Sequence, residues 1–440
     1  MGNRYWLETY GCQMNTAEST SLENRLREEG WTAAAAPEEA DLVLLNTCSV
    51  RKTAENRIWG RLGYFKALKV RQNFSLGVMG CMTERLKDDL RKEVPEIDFL
   101  VGTYGKDEFL HVLKEESSWR EKRNFFGHDE FSFARSHFGS SDAQAMVPIM
   151  HGCNNFCTYC IVPYVRGREV SRTWEDIQSE LTILQSQKVK EITLLGQNVN
   201  SYMYHFQNDS LDFAGLLSRI AERFSLPWIR FLSSHPKDLS KRVIEVMKAN
   251  PKICRHLHLP VQHGSNRVLE AMNRRYSRES YLSLVDDLRK AMPDISLTTD
   301  ILIGFPGETE EDVKDTLQLI KTAGFSDAFT YLYNAMEGTK AFHMENQISE
   351  EVKKERLNRV IDLQRQMGHR EKERRVGQTV AVLVEGSSKK NSLEMLGRTE
   401  HNSMVVFPGG SDYTGTLRKV KLVALSGNTY KGEDRGCLGN

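Results

Sequence analysis

Three cysteines share one short run, His151-Gly152-Cys153-Asn154-Asn155-Phe156-Cys157-Thr158-Tyr159-Cys160, with the spacing C-x3-C-x2-C. Three thiolates on a single tight loop suit three irons of a [4Fe–4S] cube and leave the fourth iron open to another ligand. A Cys3His zinc site with His151 as fourth ligand is the other reading, although zinc sites ordinarily pair two short knuckles across a longer loop.

A second set is dispersed. Cys12, Cys48 and Cys81 end the runs Glu8-Thr9-Tyr10-Gly11-Cys12, Leu45-Asn46-Thr47-Cys48 and Val78-Met79-Gly80-Cys81. Each follows an apolar segment that reads as a strand, and in a parallel sheet the C-terminal strand ends lie along one edge, where ligands bind. Gly11 and Gly80 would let the backbone approach a bulky inorganic group. Three thiolates would thus converge on a second cluster, again with one open iron. The plainer alternative is three packed core thiols. Cys254 and Cys437 have no partner pattern; they read as a core thiol and a residue in a frayed tail.

These cysteines need scaffolds. Segments Tyr5–Tyr10, Leu42–Asn46, Ser75–Met79 and Phe99–Val101 read as strands, alternating with helices over Ala17–Glu29, Thr53–Leu68 and Arg85–Lys92. Such alternation predicts an α/β domain over residues 1–116, a doubly wound parallel sheet. Residues 117–146 are polar and aromatic-spotted and read as a linker. From Val147 the alternation restarts, with strands expected at Val147–Met150, Glu191–Leu195, Ile229–Leu232, Leu257–Leu259, Leu297–Ile303 and Phe329–Leu332. Helices fall between them, at Thr173–Gln187, Asp212–Arg223, Leu239–Lys248, Tyr281–Ala291 and Glu310–Ala323. Six βα units followed by a charged helix, Glu350–Arg375, predict an open (β/α)6 barrel over 147–375. Residues 376–440 break into short strands with Gly and Ser between them, a small antiparallel β-barrel.

The 440 residues carry a net charge of +1, so any nucleic-acid contact must come from a local basic patch rather than a global field. No apolar run approaches the roughly 20 residues that span a bilayer. A cytoplasmic, membrane-free protein is expected, in which eight cysteines serve metal or chemistry rather than disulfides.

Along essentially its whole length the chain resembles the radical S-adenosylmethionine methylthiotransferases. The C-x3-C-x2-C loop resembles the radical SAM signature, and the upstream triplet with a terminal TRAM-like barrel narrows the likeness to this family. Thr9-Tyr10-Gly11-Cys12-Gln13-Met14-Asn15, Asn46-Thr47-Cys48-Ser49-Val50-Arg51, the run from Cys157 to Arg172 and Leu195-Gly196-Gln197-Asn198-Val199-Asn200 resemble its tRNA branch. The resemblance implies two [4Fe–4S] clusters. One, on Cys153, Cys157 and Cys160, would bind S-adenosylmethionine and cleave it to a 5′-deoxyadenosyl radical. The other, on Cys12, Cys48 and Cys81, would carry the sulphur. It further implies methylthiolation of C2 of N6-isopentenyladenosine at position 37 of a tRNA anticodon stem-loop. Two S-adenosylmethionine molecules would be used, one as radical source and one as methyl donor. A donor such as flavodoxin or ferredoxin would supply the electron, and a monomer is the default. An unactivated C–H bond calls for such a cofactor, because side chains do not supply radicals.

The same resemblance places Tyr159 against the adenine, Gly196, Gln197 and Asn198 at the methionyl amino group, Ser234 and Gln262 at the ribose or methionine end, and Gly304 beneath the adenine. A strand-end turn explains the glycines nearly as well. Arg166, Arg168 and Arg172 read either as anion ligands or as a solvated face. His235, His258 and His263 read as structural. Lys389, Lys390, Arg398, Arg418, Lys419 and Lys421, with Phe407 and Tyr413, would make the RNA-binding face of the small barrel, diluted by Glu385, Glu394, Glu400 and Asp412. Arg365, Arg370, Arg374 and Arg375 would extend it. Met336 stands where the family usually has a basic residue. Methylthiolation of a ribosomal-protein side chain or another tRNA adenosine, and a non-catalytic iron–sulphur RNA-binding protein, are the competing functions.

Overall fold

In a computed structural model of the chain, residues 3–49, 52–115, 119–127, 131–133 and 143–438 are described. The N-terminal sheet is parallel throughout. Its strands are β1 (Arg4–Thr9), β2 (Thr32–Ala33), β3 (Leu42–Thr47), β4 (Ser75–Gly80), β5 (Phe99–Val101) and β6 (Arg123–Phe125), in the order β2-β1-β3-β4-β5-β6. Helices α1 (Gln13–Glu28), α2 (Lys52–Lys69), α3 (Cys81–Leu86), α4 (Asp88–Glu93) and α5 (Lys106–Glu115) follow the strands. Every residue of β3 and β4 is buried, as expected of strands covered on both faces. Separate apolar clusters form on the two sides, one around Leu44, Phe99 and Phe109, the other around Leu45, Ile58 and Phe65. The strand order reverses between β1 and β3, the switch point where doubly wound sheets open a crevice for ligands.

Three expectations need correction here. Helix α1 starts at Gln13, with Cys12 in extended conformation as its N-cap. The single helix read over Arg85–Lys92 is two short ones, interrupted at Lys87 with φ of 45°. Part of the segment read as a linker is the edge strand β6, because Phe125 packs its ring 5.4 Å from that of Phe109.

The second domain begins with β7 (Gln144–Pro148), three residues earlier than read. The two-residue strands β8 (Met150–His151) and β9 (Val170–Ser171) then pair antiparallel and bracket short helix α6 (Val162–Val165). After α7 (Trp174–Ser186) come β10 (Glu191–Leu195), the ribbon β11 (Met203–Phe206) and β12 (Asp209–Asp212), α8 (Phe213–Arg223), β13 (Trp228–Phe231) and α9 (Lys241–Ala249). Then follow β14 (His256–His258), α10 (Asn266–Ala271), α11 (Arg278–Ala291), β15 (Ser296–Ile303), α12 (Glu310–Ala323) and β16 (Asp327–Leu332). The six parallel strands form an open barrel in two halves, β7-β10-β13 and β14-β15-β16. Between the halves, one bridge joins Ile229 to Ile253. A continuous apolar core underlies both.

Helix α13 (Glu350–Glu373) leads to a closed five-strand barrel of β17 (Thr379–Ser387), β18 (Glu394–Thr399), β19 (Met404–Pro408), β20 (Leu417–Ser426) and β21 (Thr429–Cys437). Cys437 is the last residue of β21, opposite Arg418, and not part of a frayed tail. Arg230 ties the two barrels: it pairs with Glu191 at 2.9 Å and donates to the carbonyls of Thr399 and Glu400. Among the described residues no helix is long and apolar enough to cross a membrane.

Candidate functional site

Cys12, Cys48 and Cys81 follow β1, β3 and β4 at the C-terminal edge of the first sheet, on and beside its switch point. Asn15, on the first turn of α1, is the hub beneath them. Its amide donates to Thr47 O at 2.9 Å and Asn46 Oδ1 at 3.2 Å, while its Oδ1 accepts from the Cys12 thiol at 3.3 Å. Gly11, with φ of 135°, has no room for a side chain, since Cys48 fills that space.

The loop carrying Cys153, Cys157 and Cys160 is held from several sides. Cys153 N donates to Gly167 O at 3.2 Å, Thr158 N to Met272 O at 3.1 Å, and the Asn273 amide to the carbonyls of Asn155 and Phe156. Phe156 takes φ of 48°, a strained conformation for an aromatic residue. Buried Arg274 donates to Cys157 Sγ at 3.3 Å and to Pro260 O at 2.8 Å.

The two cysteine-bearing edges face each other. Met14 and Ala17 of α1 pack on Leu195 and Leu232 at the barrel strand ends, and Cys81 packs with Ile161, Val165 and Met336. All six cysteines line one cavity of about 1570 Å³. Burial pushes the Cys153 thiol up to about 11 and the Cys160 thiol up to about 12, and raises that of Cys81. In this surrounding a bound cation, not the protein alone, makes them thiolates. The zinc alternative does not fit. His151 stacks on Phe131 at 3.6 Å, its Nδ1 faces Arg166 at 3.4 Å, and it does not line the cavity.

Tyr159, Gly196, Gln197, Ser234 and Gln262 line the same cavity. Gln197 Oε1 and Ser234 Oγ are buried there without a hydrogen-bond partner, as expected of groups that wait for a ligand. Ser233 and Gln262 both take left-handed backbone angles, φ of 66° and 69°, at the ends of their strands. The donor set and these orphaned atoms fit two clusters and S-adenosylmethionine.

Two expected residues are placed elsewhere. Asn198 is buried outside the cavity and donates to Asp238 at 2.7 Å, closing a strand-end turn. Gly304, with φ of 83°, makes way for the Lys353 stem of α13, because a Cβ there would lie 2.4 Å from Lys353 Cγ.

The arginines also depart from expectation. Arg166 is neither a free anion ligand nor a solvated group but a buried contact between domains. Arg172 is buried against Glu180 and Asp176, and exposed Arg168 covers the Phe156 ring at 4.4 Å. On the small barrel, Lys389, Lys390 and Lys419 are exposed. Arg398 pairs with Glu385 at 2.8 Å, and Arg418 pairs with Asp434 over the Tyr413 ring. Phe407 belongs to the barrel core and is no platform for a base. Arg374 is tied to Glu371, and Arg375 to the carbonyl of Asp294. Of the unclaimed histidines, His235 and His258 line the cavity and His263 is buried against Glu308 at 3.2 Å. The sequence reading missed Arg274, Asn15 and Asn273. The one local hint lay in Asn15, inside the first cysteine motif.

Comparison with known proteins matches residues 147–320 to the radical SAM superfamily, residues 4–102 to uncharacterized protein family UPF0004 and residues 373–432 to the TRAM domain. A tRNA-2-methylthio-N(6)-dimethylallyladenosine synthase of Treponema denticola is 46% identical across 97% of this chain and 99% of its own length. One from Moorella thermoacetica is 44% identical across 97% of each. Among solved structures, the radical S-adenosylmethionine methyltransferase TsrM of Kitasatospora setae, with cobalamin and a [4Fe–4S] cluster bound, superposes with a TM-score of 0.56. It does so at 15% identity, over 76% of this chain and 75% of its own, a likeness of fold alone.

Proposed function

Because the chain belongs to the tRNA-2-methylthio-N(6)-dimethylallyladenosine synthases, radical SAM enzymes that methylthiolate tRNA, we propose the following reaction for it. It adds a methylthio group to C2 of N6-isopentenyladenosine at position 37 of tRNA, consuming two S-adenosylmethionine molecules. Cys153, Cys157 and Cys160 hold one [4Fe–4S] cluster; Cys12, Cys48 and Cys81 hold the other. When bound, the two clusters supply the electron that cleaves S-adenosylmethionine and the sulphur that is transferred.

The chain's own residues confine and orient. Tyr159 packs against the apolar cluster that includes Leu302 and Tyr333 and offers an apolar wall for an adenine. The orphaned oxygens of Gln197 and Ser234 accept from the ammonium and hydroxyl groups of S-adenosylmethionine. Met14, Met336 and Ile161 give the space between the two cysteine sets apolar surface, which limits side reactions of a reactive carbon radical. Exposed Lys389, Lys390 and Lys419 receive the RNA backbone.

One observation carries this reading: two separate cysteine triplets, from two different sheets, open onto one cavity. The test is anaerobic turnover with a hypomodified anticodon stem-loop. The expected product gains one methylthio group on the isopentenylated adenosine, with 5′-deoxyadenosine formed alongside. An unmodified RNA together with a methylthio gain on a ribosomal protein would reassign the substrate. Absence of 5′-deoxyadenosine under reducing conditions would remove the reaction class.

A further inference from the structure

Arg166 ends α6, in the barrel polypeptide, yet its side chain is satisfied mainly by the N-terminal domain. Its Nε donates to Cys81 Sγ at 3.2 Å, Nη1 to Glu18 Oε1 at 2.9 Å, and Nη2 to Asn15 Oδ1 at 3.2 Å. The side chain is 2% exposed. Its backbone is clasped from the same side. Tyr104 OH donates to Arg166 O at 3.3 Å and Thr103 Oγ1 to Val165 O at 3.0 Å. One residue of the second domain therefore reaches the sulphur of Cys81 and, through Asn15, the thiol of Cys12.

Charge in this contact group is unbalanced. Glu18 is the carboxylate, and it faces two cations, Arg166 and Lys106, the latter at 2.8 Å. Two cations thus meet one carboxylate in a buried place, and an anionic group held at Cys81, within hydrogen-bond reach of the guanidinium, would balance them.

We propose that Arg166 is a positioning residue for the cluster site of Cys12, Cys48 and Cys81, fixing the Cys81 sulphur, raising the reduction potential of what is bound there, and completing that site only when the two domains are docked. The inference rests on the two-cluster reading above. The direction follows from charge: reduction adds an electron, and a nearby cation and donor stabilise the more negative form. Arg274 bears the corresponding relationship to Cys157 and serves as the internal comparison.

The experiment uses the full chain, reconstituted anaerobically, with iron content and a potentiometric titration followed by electron paramagnetic resonance. Arg166→Gln removes the surplus cation and leaves Glu18 paired with Lys106, so it is the informative protein, with Arg166→Lys as the variant that keeps the charge. Arg166→Gln should hold an N-terminal cluster whose midpoint is more negative than in wild type. That cluster should hold its iron about 10- to 100-fold more weakly in competition with a chelator, the range for removing the hydrogen-bond partners of metal ligands. The barrel cluster should stay where it was. Glu18→Gln alone, which keeps Arg166 on Cys81, should not lower the midpoint, and Arg274→Gln should move the barrel cluster instead. An unmoved midpoint and unchanged chelation in Arg166→Gln, with two clusters present in wild type, would overturn the role of Arg166 alone. An equal downward shift in Glu18→Gln would also overturn it. Wild-type protein with only about four irons per chain would remove the two-cluster reading, and this inference with it.

Discussion

A Cβ built on Gly11 would stand 2.5 Å from the Cβ of Cys48 and 3.2 Å from its sulphur. The turn after β1 therefore comes as near to Cys48 as a backbone without a side chain permits. Gly11→Ala adds a methyl into occupied space at a φ that L-residues rarely adopt. Iron content is expected to fall from about eight to about four per chain, with 5′-deoxyadenosine formation retained. Iron assay and product chromatography on one preparation check both halves.

The two cysteine sets are separable by their products. Cys157→Ala should abolish 5′-deoxyadenosine formation. Cys48→Ala should leave part of it and stop methylthio transfer. Mass spectrometry of the RNA beside nucleoside quantification distinguishes them; equal losses in both variants would contradict separate roles.

Arg230 and Glu191 form a buried pair that also reaches the small barrel through Thr399 O and Glu400 O. Arg230→Ala leaves an unpaired carboxylate in the interior and should cost about 3–5 kcal/mol. Chemical denaturation of the metal-free chain measures it. The double variant Arg230→Met/Glu191→Met should recover much of the loss, since the stranded charge is gone.

RNA affinity should depend on the exposed lysines of the small barrel. Lys389→Ala with Lys390→Ala is expected to weaken tRNA binding at low salt and to lessen the slope of log K against log salt by about 1 for each phosphate no longer neutralised. Arg418→Ala, whose guanidinium is already paired with Asp434, should change the slope less. Filter binding over a salt series tests the contrast.

Stability should decline on mild acidification. Burial, with Arg274 and Lys237 nearby, lowers His235 to about 2, and burial near Arg230 holds His256 well below its ordinary value. The unfolded chain takes up protons at both as pH falls through about 6.5, and the folded chain does not. Their contribution is therefore complete above that pH and lost below it, at about 1.4 kcal/mol per pH unit for each histidine. The Tm of the metal-free chain at pH 7.5 and 5.5 should show the drop, and His256→Gln should lessen it.

What could be read from the sequence and what could not divide along physical lines. Strands β3 and β4 are buried on both faces, so their apolar runs are unmistakable, and the cysteines after them follow from sheet geometry. Arg166 lies in a run that looks basic and solvated because neighbouring arginines repeat, while its partners Glu18 and Cys81 come from a different domain. Arg274 is more than a hundred residues from Cys157, and no local pattern marks it. Gly304 reads as a ligand residue because glycine after a strand suits both a turn and a cofactor, and only the position of Lys353 decides between them. Strand β6 escapes a sequence reading because three residues of edge strand carry no period of their own.

The seam of the parallel barrel has a mechanical corollary. Each three-stranded half is stitched internally by regular pairing, but among the described residues a single β-bridge, Ile229 to Ile253, continues the ladder between them, and a shared apolar core with the Thr158–Met272 and Asn273–Asn155 hydrogen bonds does the rest. The walls of the chamber are shared out accordingly: Gln197 and Ser234 belong to the first half, Gln262 and Tyr331 to the second. At that seam the chamber wall is therefore kept closed by side-chain packing rather than by a ladder of backbone hydrogen bonds.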